Sequence, residues 1–463
     1  MSTMISAPSG AASSWIAALA VTMGSIEAVA SLHGPVQDGA AGATTAAVAP
    51  PVMLSNSTIV DGPLPTVSPT WGGQVAFAGA DLVVTGPERV QQAGIEGQIM
   101  TAISGGGGVW VPLREYASMP GVRPGSVMLQ HVAAQGEWFA ANVERSDQTG
   151  EVMLLKRDAA ASGWARFATL TSPPDRPDPL FGSAISMGGG TLAIGTTDSA
   201  IRNAPRRLVP DPRVHVFAAR DGVWAREASL TPPVDASQSV WFGVQVAACG
   251  DRVIVSSPQA FTPNPKQPVD LGGTPSRIYV YRRGIDPSAP AGWGLEATLA
   301  APAGTDNAFG ISIASDGQVL AVRSTSVKAG QVGAQRDTET TIYVFRRSDD
   351  GGSSSWACEG VLQPGPGVAP GRGIGFSMAV SEGLVAVGDS AADLGTGTLG
   401  AVYVFGRDGG AWREAYRLAP NAPCATGRFG VSVAMSGRTV AVGRVRSERD
   451  DIEPGGVFVY QLP

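Results

Sequence analysis

Seven segments of this chain carry the same internal spacing, and that recurrence limits the fold more than any other feature. They start at Trp71, Met128, Phe181, Phe242, Phe309, Ile374 and Phe429. In each, the first apolar residue of a second strand stands eleven positions later, at Leu82, Phe139, Leu192, Val253, Leu320, Val385 and Val440. The last copy shows the pattern most fully. Large and small side chains alternate along Phe429–Met435, the period of two that marks a strand. A turn at Ser436-Gly437-Arg438 leads to Val440-Ala441-Val442-Gly443, and Val457-Phe458-Val459-Tyr460 is apolar on both faces. A sheet with one wet face would alternate apolar and polar residues. Both faces of these sheets must therefore be covered by neighbouring copies.

Third strands follow in every copy, among them Val152–Leu155, Val214–Phe217, Ile278–Tyr281, Ile342–Phe345 and Val402–Phe405. A fourth strand is marked by a Trp and, six residues on, a Leu: Trp164/Leu170, Trp224/Leu230, Trp293/Leu299, Trp356/Leu362 and Trp412/Leu418. Trp110/Tyr116 is a looser first copy. Six is even, so both anchors are expected on one side of the outer strand. The pattern predicts an all-β fold, a seven-bladed β-propeller of four-stranded antiparallel blades spanning 51–463. With 61 Gly, 35 Pro and only 16% charged residues, the composition suits many turns and strands buried on both faces.

The pieces Phe429-Gly430, Val440–Gly443 and Gly456–Tyr460 together resemble the FG-GAP repeat of the integrin α-subunit propeller. The bacterial form without calcium loops is closer still. The resemblance covers about 71–463; the second copy departs from it with Met128-Leu129 and the sixth with Ile374-Gly375. It implies a binding or scaffold module rather than an enzyme. In integrins some of these repeats hold calcium through a DxDxDG loop, whose alternating oxygens suit a hard cation. The corresponding turns here offer at most one carboxylate each, so no metal and no cofactor is expected. Asp389 and Asp393 are a weaker metal candidate.

No GxSxG, HExxH or GxxxxGK[ST] spacing occurs. Of three histidines, His33, His131 and His215, the last two align to strands and read as core residues. The rival reading is a polysaccharide lyase or hydrolase, its carboxylates and arginines meeting at the channel mouth. Three adjacent second-to-third strand loops are long, at about 196–212, 257–276 and 324–340. They are expected to form a lip that meets a protein or glycan. The first carries Arg202, Arg206, Arg207 and Arg213, suited to acidic groups. The net charge of −6 offers no global attraction to nucleic acid.

Residues 1–50 read either as a signal-like segment, with Ala28-Val29-Ala30 as a cleavage site, or as a disordered tail. No span of apolar residues is long enough to cross a membrane as a helix, and an extracytoplasmic monomer is expected. Cys249, Cys358 and Cys424 have no paired spacing and read as free thiols. Asn56-Ser57-Thr58 is a glycosylation sequon. The seventh copy ends after its third strand, at Pro463. Its missing outer strand is expected from 53–60, with Ile59 at the Leu position and Met53 at the Trp position. That strand would join the two chain ends.

Overall fold

The fold is set by strand pairing, which divides the chain into small meanders placed side by side. The computed structural model describes residues 52–54, 58–61, 73–85, 100–105, 109–113, 131–144, 150–158, 163–174, 178, 180–196, 212–233, 241–258, 275–302, 308–327, 338–350, 353–366, 371, 373–395, 399–420, 428–445 and 455–463. Two strands, β1 (Val52–Leu54) and β2 (Thr58–Asp61), precede the repeats. The first sheet is β3 (Gln74–Ala78), β4 (Asp81–Thr85), β5 (Met100–Gly105) and β6 (Val109–Leu113). The second is β7 (Val132–Gln135), β8 (Trp138–Glu144), β9 (Gly150–Asp158) and β10 (Gly163–Thr171). The third is β11 (Ala184–Gly188), β12 (Thr191–Gly195), β13 (Val214–Arg220) and β14 (Val223–Leu230). The fourth is β15 (Val246–Cys249), β16 (Arg252–Ser257), β17 (Arg277–Arg282) and β18 (Gly294–Leu299). The fifth is β19 (Ser312–Ser315), β20 (Val319–Val327), β21 (Thr338–Asp350) and β22 (Ser353–Val361). The sixth is β23 (Met378–Ser381), β24 (Leu384–Asp393), β25 (Leu399–Asp408) and β26 (Ala411–Leu418). The seventh holds β27 (Arg428–Ser436), β28 (Thr439–Val445) and β29 (Gly456–Gln461). Among the described residues the only helical piece is one 3-10 turn, Pro290–Gly292.

These sheets form a β-propeller arrangement. Each first strand touches the first strands of both neighbours, in a cycle that runs from β3 to β27 and returns to β3. The apolar core is divided in the same way, into seven clusters that each lie between two successive sheets. One of them joins Val75, Leu82 and Val84 of the first sheet to Ala441, Val457 and Val459 of the last. The seven residues at the shared offset, Leu82 to Val440, are all fully buried. Counted as blades the array gives six, against the seven expected from the sequence; strand pairing separates seven sheets. The first sheet is the slightest, with β4 and β5 paired over three residues.

In the seventh copy β27 runs through Phe429 and Gly430 as expected from alternation, but in the third to sixth copies the Phe-Gly or Ile-Gly piece is a turn. In the third to sixth copies the first strand begins three or four residues after the Phe or Ile. The reason is the glycine. Gly182, Gly243, Gly310 and Gly375 have φ of 95, 84, 89 and 76°, where a side chain is strained. Each donates its N–H to the carbonyl thirteen residues on, for example Gly243 to Ser256 at 2.9 Å and Gly375 to Gly388 at 2.8 Å. The turn swings the preceding side chain into the core. Phe242 meets Tyr279 and Tyr281, and Phe429 meets Phe458 and Tyr460, at ring separations of 5.3–6.2 Å. Such contacts add about 0.5–1.5 kcal/mol each beyond burial.

The Trp and Leu anchors face opposite sides of their sheets, which corrects the expectation from even spacing. Each outer strand from β10 to β26 carries one bulge residue between the anchors: Phe167, Glu227, Glu296, Glu359 and Ala415. An extra residue shifts the pleat by one and turns everything beyond it to the other face. Trp224 accordingly packs toward the second sheet and Leu230 toward the fourth. The bulge residue then works as a bracket. Glu227 accepts from Trp293 Nε1 of the next sheet at 3.3 Å and pairs with Arg283 at 2.7 Å and with Arg220. Glu359 accepts from Trp412 Nε1 at 2.9 Å. Where the bulge residue is Phe167, Trp224 Nε1 finds no partner among the described residues.

Burial alone would raise the Glu227 carboxyl, but Arg220, Trp293 and Arg283 together hold it below the ordinary glutamate range. Its stabilisation is therefore present above the unfolded pKa and lost as pH falls through the lower, folded value. Glu227→Gln should cost roughly 1–3 kcal/mol at pH 7, the scale of a charge-assisted hydrogen-bond set. Thermal melts should show a smaller gap between the two proteins at pH 3.

The chain ends meet, though not over the expected range. β2 pairs antiparallel with β29, Ile59 opposite Phe458 and Val60 opposite Val457, and completes the seventh sheet. β1 leaves that sheet and pairs in parallel with β26, Met53 opposite Arg417, as a fifth strand of the sixth. The closing strand is thus 58–61 rather than 53–60. Residues 1–50 lie outside the described residues.

Candidate functional site

In a four-stranded meander the second-to-third strand loops and the connections between sheets emerge at the same end. Three features are described, two of them at that end. The first is where the long loops begin. Those after β12 and β16 hold their expected length, but the third is shorter than expected: β20 and β21 continue the ladder, pairing Thr325 with Thr340 and Val327 with Thr338. Arg202, Arg206 and Arg207 lie outside the described residues. Arg213 is described, and its backbone N–H and carbonyl both bond the Thr196 hydroxyl at 3.1 Å.

The second feature is a cavity of about 430 Å³ along the outer strand of the third sheet. Asp178, Arg213, His215, Arg226, Glu227 and Ser229 line it, with Pro173, Ala228 and Pro290 as its apolar wall. His215 is 1% exposed and bonded on both ring nitrogens, Nε2 to Asp178 Oδ2 and Nδ1 to Ser229 Oγ, each at 2.9 Å. A carboxylate only accepts, so Nε2 carries a proton toward Asp178. The core role expected for His215 describes its burial but misses this chain. The hint available in the sequence was position: where the third strand holds His215, other copies hold Tyr279, Tyr343, Tyr403 and Phe458. His131 is half-buried beside Asn142, and burial pushes its imidazole down to about 4, so it is neutral at pH 7.

The third feature is Phe376, which is 56% exposed in the connection between the fifth and sixth sheets. Its ring lies over the Arg323 guanidinium at 3.8 Å. Arg323 is itself buried and donates through Nε to the Ile374 carbonyl at 2.8 Å. The ring is therefore held in place on one face and open on the other.

The acids in the turns between first and second strands serve local structure. Asp81 pairs with Arg157, and Asp316 Oδ1 accepts from the N–H groups of Gln318 and Val319. Asp389 accepts from Gly371 and Ala391, and Asp393 from Gly395. Among the described residues no three His, Cys, Asp or Glu side chains are grouped to hold a metal. Chelator should leave the melting temperature within about 1 °C of its starting value. A fall of several degrees in calorimetry would show an ion bound by the turns. Cys249 and Cys358 are free thiols; burial pushes Cys249 up to about 12. Cys424 lies outside the described residues.

With this geometry in hand, the comparisons with known proteins are direct. The FG-GAP repeat model matches residues 412–460, so the chain carries an FG-GAP repeat there and shares its β-propeller arrangement. Comparison with curated protein sequences gives no match. Among solved structures, it is similar to the β-propeller domain of the Trilobed protease from Pyrococcus furiosus. That match has 10% identity and a TM-score of 0.44, and covers 87% of this chain and 95% of that one. It is also similar to the periplasmic gluconolactonase PpgL of Pseudomonas aeruginosa. Here identity is 14% and the TM-score 0.43, with 82% and 99% of the two chains covered. Among the described residues no helix is long and apolar enough to cross a membrane.

Proposed function

We propose that this propeller is a non-enzymatic binding or scaffold module that takes a protein or glycan on its loop-bearing end, acting as a monomer outside the cytoplasm. The observation that carries the reading is Phe376: a large aromatic ring, exposed yet fixed on a buried arginine, is the form that binding anchors take. A ring already held in place loses little freedom on association. Arg202, Arg206, Arg207 and Arg213, as expected from the sequence, would supply charge complementarity to an acidic partner.

The test is a glycan and protein array probed with the full chain. For any partner found, Phe376→Ala should weaken binding at least about tenfold, as aromatic anchors do. Arg206→Ala with Arg207→Ala should weaken it severalfold, chiefly through the association rate. Melting temperatures should stay near the parent's, because exposed positions contribute little to stability. A partner whose affinity neither change moves would bind elsewhere on the ring.

A further inference from the structure

Three polar side chains stand in a line at the cavity beside β14, in the third copy. Across the β13–β14 ladder His215 lies opposite Ser229. At the equivalent rung the next copies place Tyr279 opposite Thr298, Tyr343 opposite Val361 and Tyr403 opposite Arg417. Those sheets form without an imidazole there, so the fold itself does not require one. The line runs from Asp178 Oδ2 to His215 Nε2 and from His215 Nδ1 to Ser229 Oγ, each step 2.9 Å. Ser229 is half-buried and lines the cavity, whereas His215 and Asp178 are 1% and 5% exposed.

The two inner members are held in place. The Asp178 N–H donates to Ser172 Oγ at 2.9 Å, and its carbonyl accepts from the Phe181 N–H at 3.1 Å. The Phe181 ring flanks the imidazole at 5.5 Å. Asp178 keeps a proton on Nε2, and in the neutral imidazole Nδ1 is then the acceptor that faces the hydroxyl. Carboxylate, imidazole and hydroxyl in that order are the parts that activate a serine. The ring nitrogens are used in the opposite sense to the serine-protease arrangement, which leaves the proton path intact.

We propose that Ser229 is an acyl-accepting nucleophile whose donor is a short-chain acyl ester, with His215 as its base and Asp178 as the positioning residue. Ser229 Oγ adds to the ester carbonyl carbon while its proton passes to His215 Nδ1. The carbon–oxygen bond to the alcohol then breaks, and the departing oxygen takes that proton. The products are acyl-Ser229 and free alcohol, with the imidazole neutral again. Pro173, Ala228 and Pro290 give the acyl chain an apolar wall, and about 430 Å³ is room for a small ester. The lining carries Arg213 and Arg226 with Asp178 and Glu227, so it gives no preference for a charged donor. The inference goes beyond the binding reading and concerns another site; one acyl group per chain leaves the module non-enzymatic.

The test mixes the full chain with p-nitrophenyl butyrate and reads nitrophenolate release and the mass of the Ser229 peptide. The parent should release a burst of one equivalent and carry one butyryl group, on Ser229. Ser229→Ala should abolish the burst and melt as the parent does, because the site is only half-buried. His215→Gln should slow the burst at least about hundredfold, the lower end of what a positioned base supplies. Asp178→Asn should slow it too while leaving the ester concentration at half-saturation unchanged; a merely structural loss would move both. Ser229→Ala and Asp178→Asn keep the test decisive if His215→Gln does not fold. No burst, butyrylation elsewhere, or a burst unchanged in the His215 and Asp178 variants would overturn the proposal. With array binding intact, such a result would overturn this inference alone. Release continuing beyond one equivalent would keep the acyl step and overturn only the non-enzymatic part of the reading above.

Discussion

Removing residues 1–61 should lower the melting temperature far more than removing residues 1–50. The shorter deletion leaves both N-terminal strands, and its melt should lie within about 2 °C of the parent. The longer one strips β2 from β29, four residue pairs, and β1 from β26, three more. It leaves β29 as an open outer edge and removes the N-terminal segment that pairs with both the sixth and the seventh sheets. Ladder hydrogen bonds contribute about 1 kcal/mol each, so several kcal/mol are lost in total. For a chain of this size that is a drop on the order of 10 °C. The exposed edge should also make the longer deletion prone to self-association, visible in light scattering. An intermediate deletion of residues 1–55, which removes β1 and keeps β2, should fall between the two. Equal melting of the 50- and 61-residue deletions would show that the ends do not clasp the ring.

Gly388→Ala should be the most damaging single methyl addition to a second strand. A Cβ there would lie 2.2 Å from the Gly430 carbonyl oxygen, and Gly195 faces Gly243 in the same way at 2.3 Å. In each case a glycine of the second strand meets the Gly of the Phe-Gly piece of the next copy, backbone against backbone. Neither side can yield by a rotamer change, so adjacent sheets must separate. The cost should reach at least about 3 kcal/mol, as overpacking without relaxation does at its upper end. Gly406→Ala is the control. Its Cβ would meet only the flexible Leu384 side chain at 3.2 Å and Ala415 at 4.0 Å, and its backbone is not in the left-handed region. Urea titration of both variants should show a large loss for the first and less than about 1 kcal/mol for the second. Similar losses would mean that the close approach at Gly388 relaxes freely.

That contact also explains the motif itself. The Gly of a Phe-Gly turn and the Gly closing a Val-Ala-Val-Gly strand are partners across neighbouring copies, so each conserves room for the other. In the fifth copy Arg323 takes the place of the second-strand glycine, and its side chain supports Phe376. The exposed platform is the local result of one arginine, Arg323, standing where the other copies have Thr85, Asn142, Gly195, Ser256, Gly388 and Gly443.

What the sequence determined by itself was the part of the fold that depends on spacing along the chain. The offset of eleven placed seven residues at the buried heart of the second strands, because a strand–turn–strand unit has a fixed length. The absent fourth strand of the last copy pointed to 53–60, because a sheet edge must be paired by something, and only 58–61 pairs there. Tertiary structure decided what depends on a single unpaired residue or on distant segments meeting. One bulge per outer strand, with no mark in composition, turned Leu away from the side that Trp faces. Glu227 and Glu359 became brackets only because the next sheet brings an indole against them. The departure of β1 to the sixth sheet depends on the neighbouring edge at β26, which no count along the chain can show. Asp178, His215 and Ser229 come from a connection and two strands, and only the folding of the third sheet against that connection sets them 2.9 Å apart.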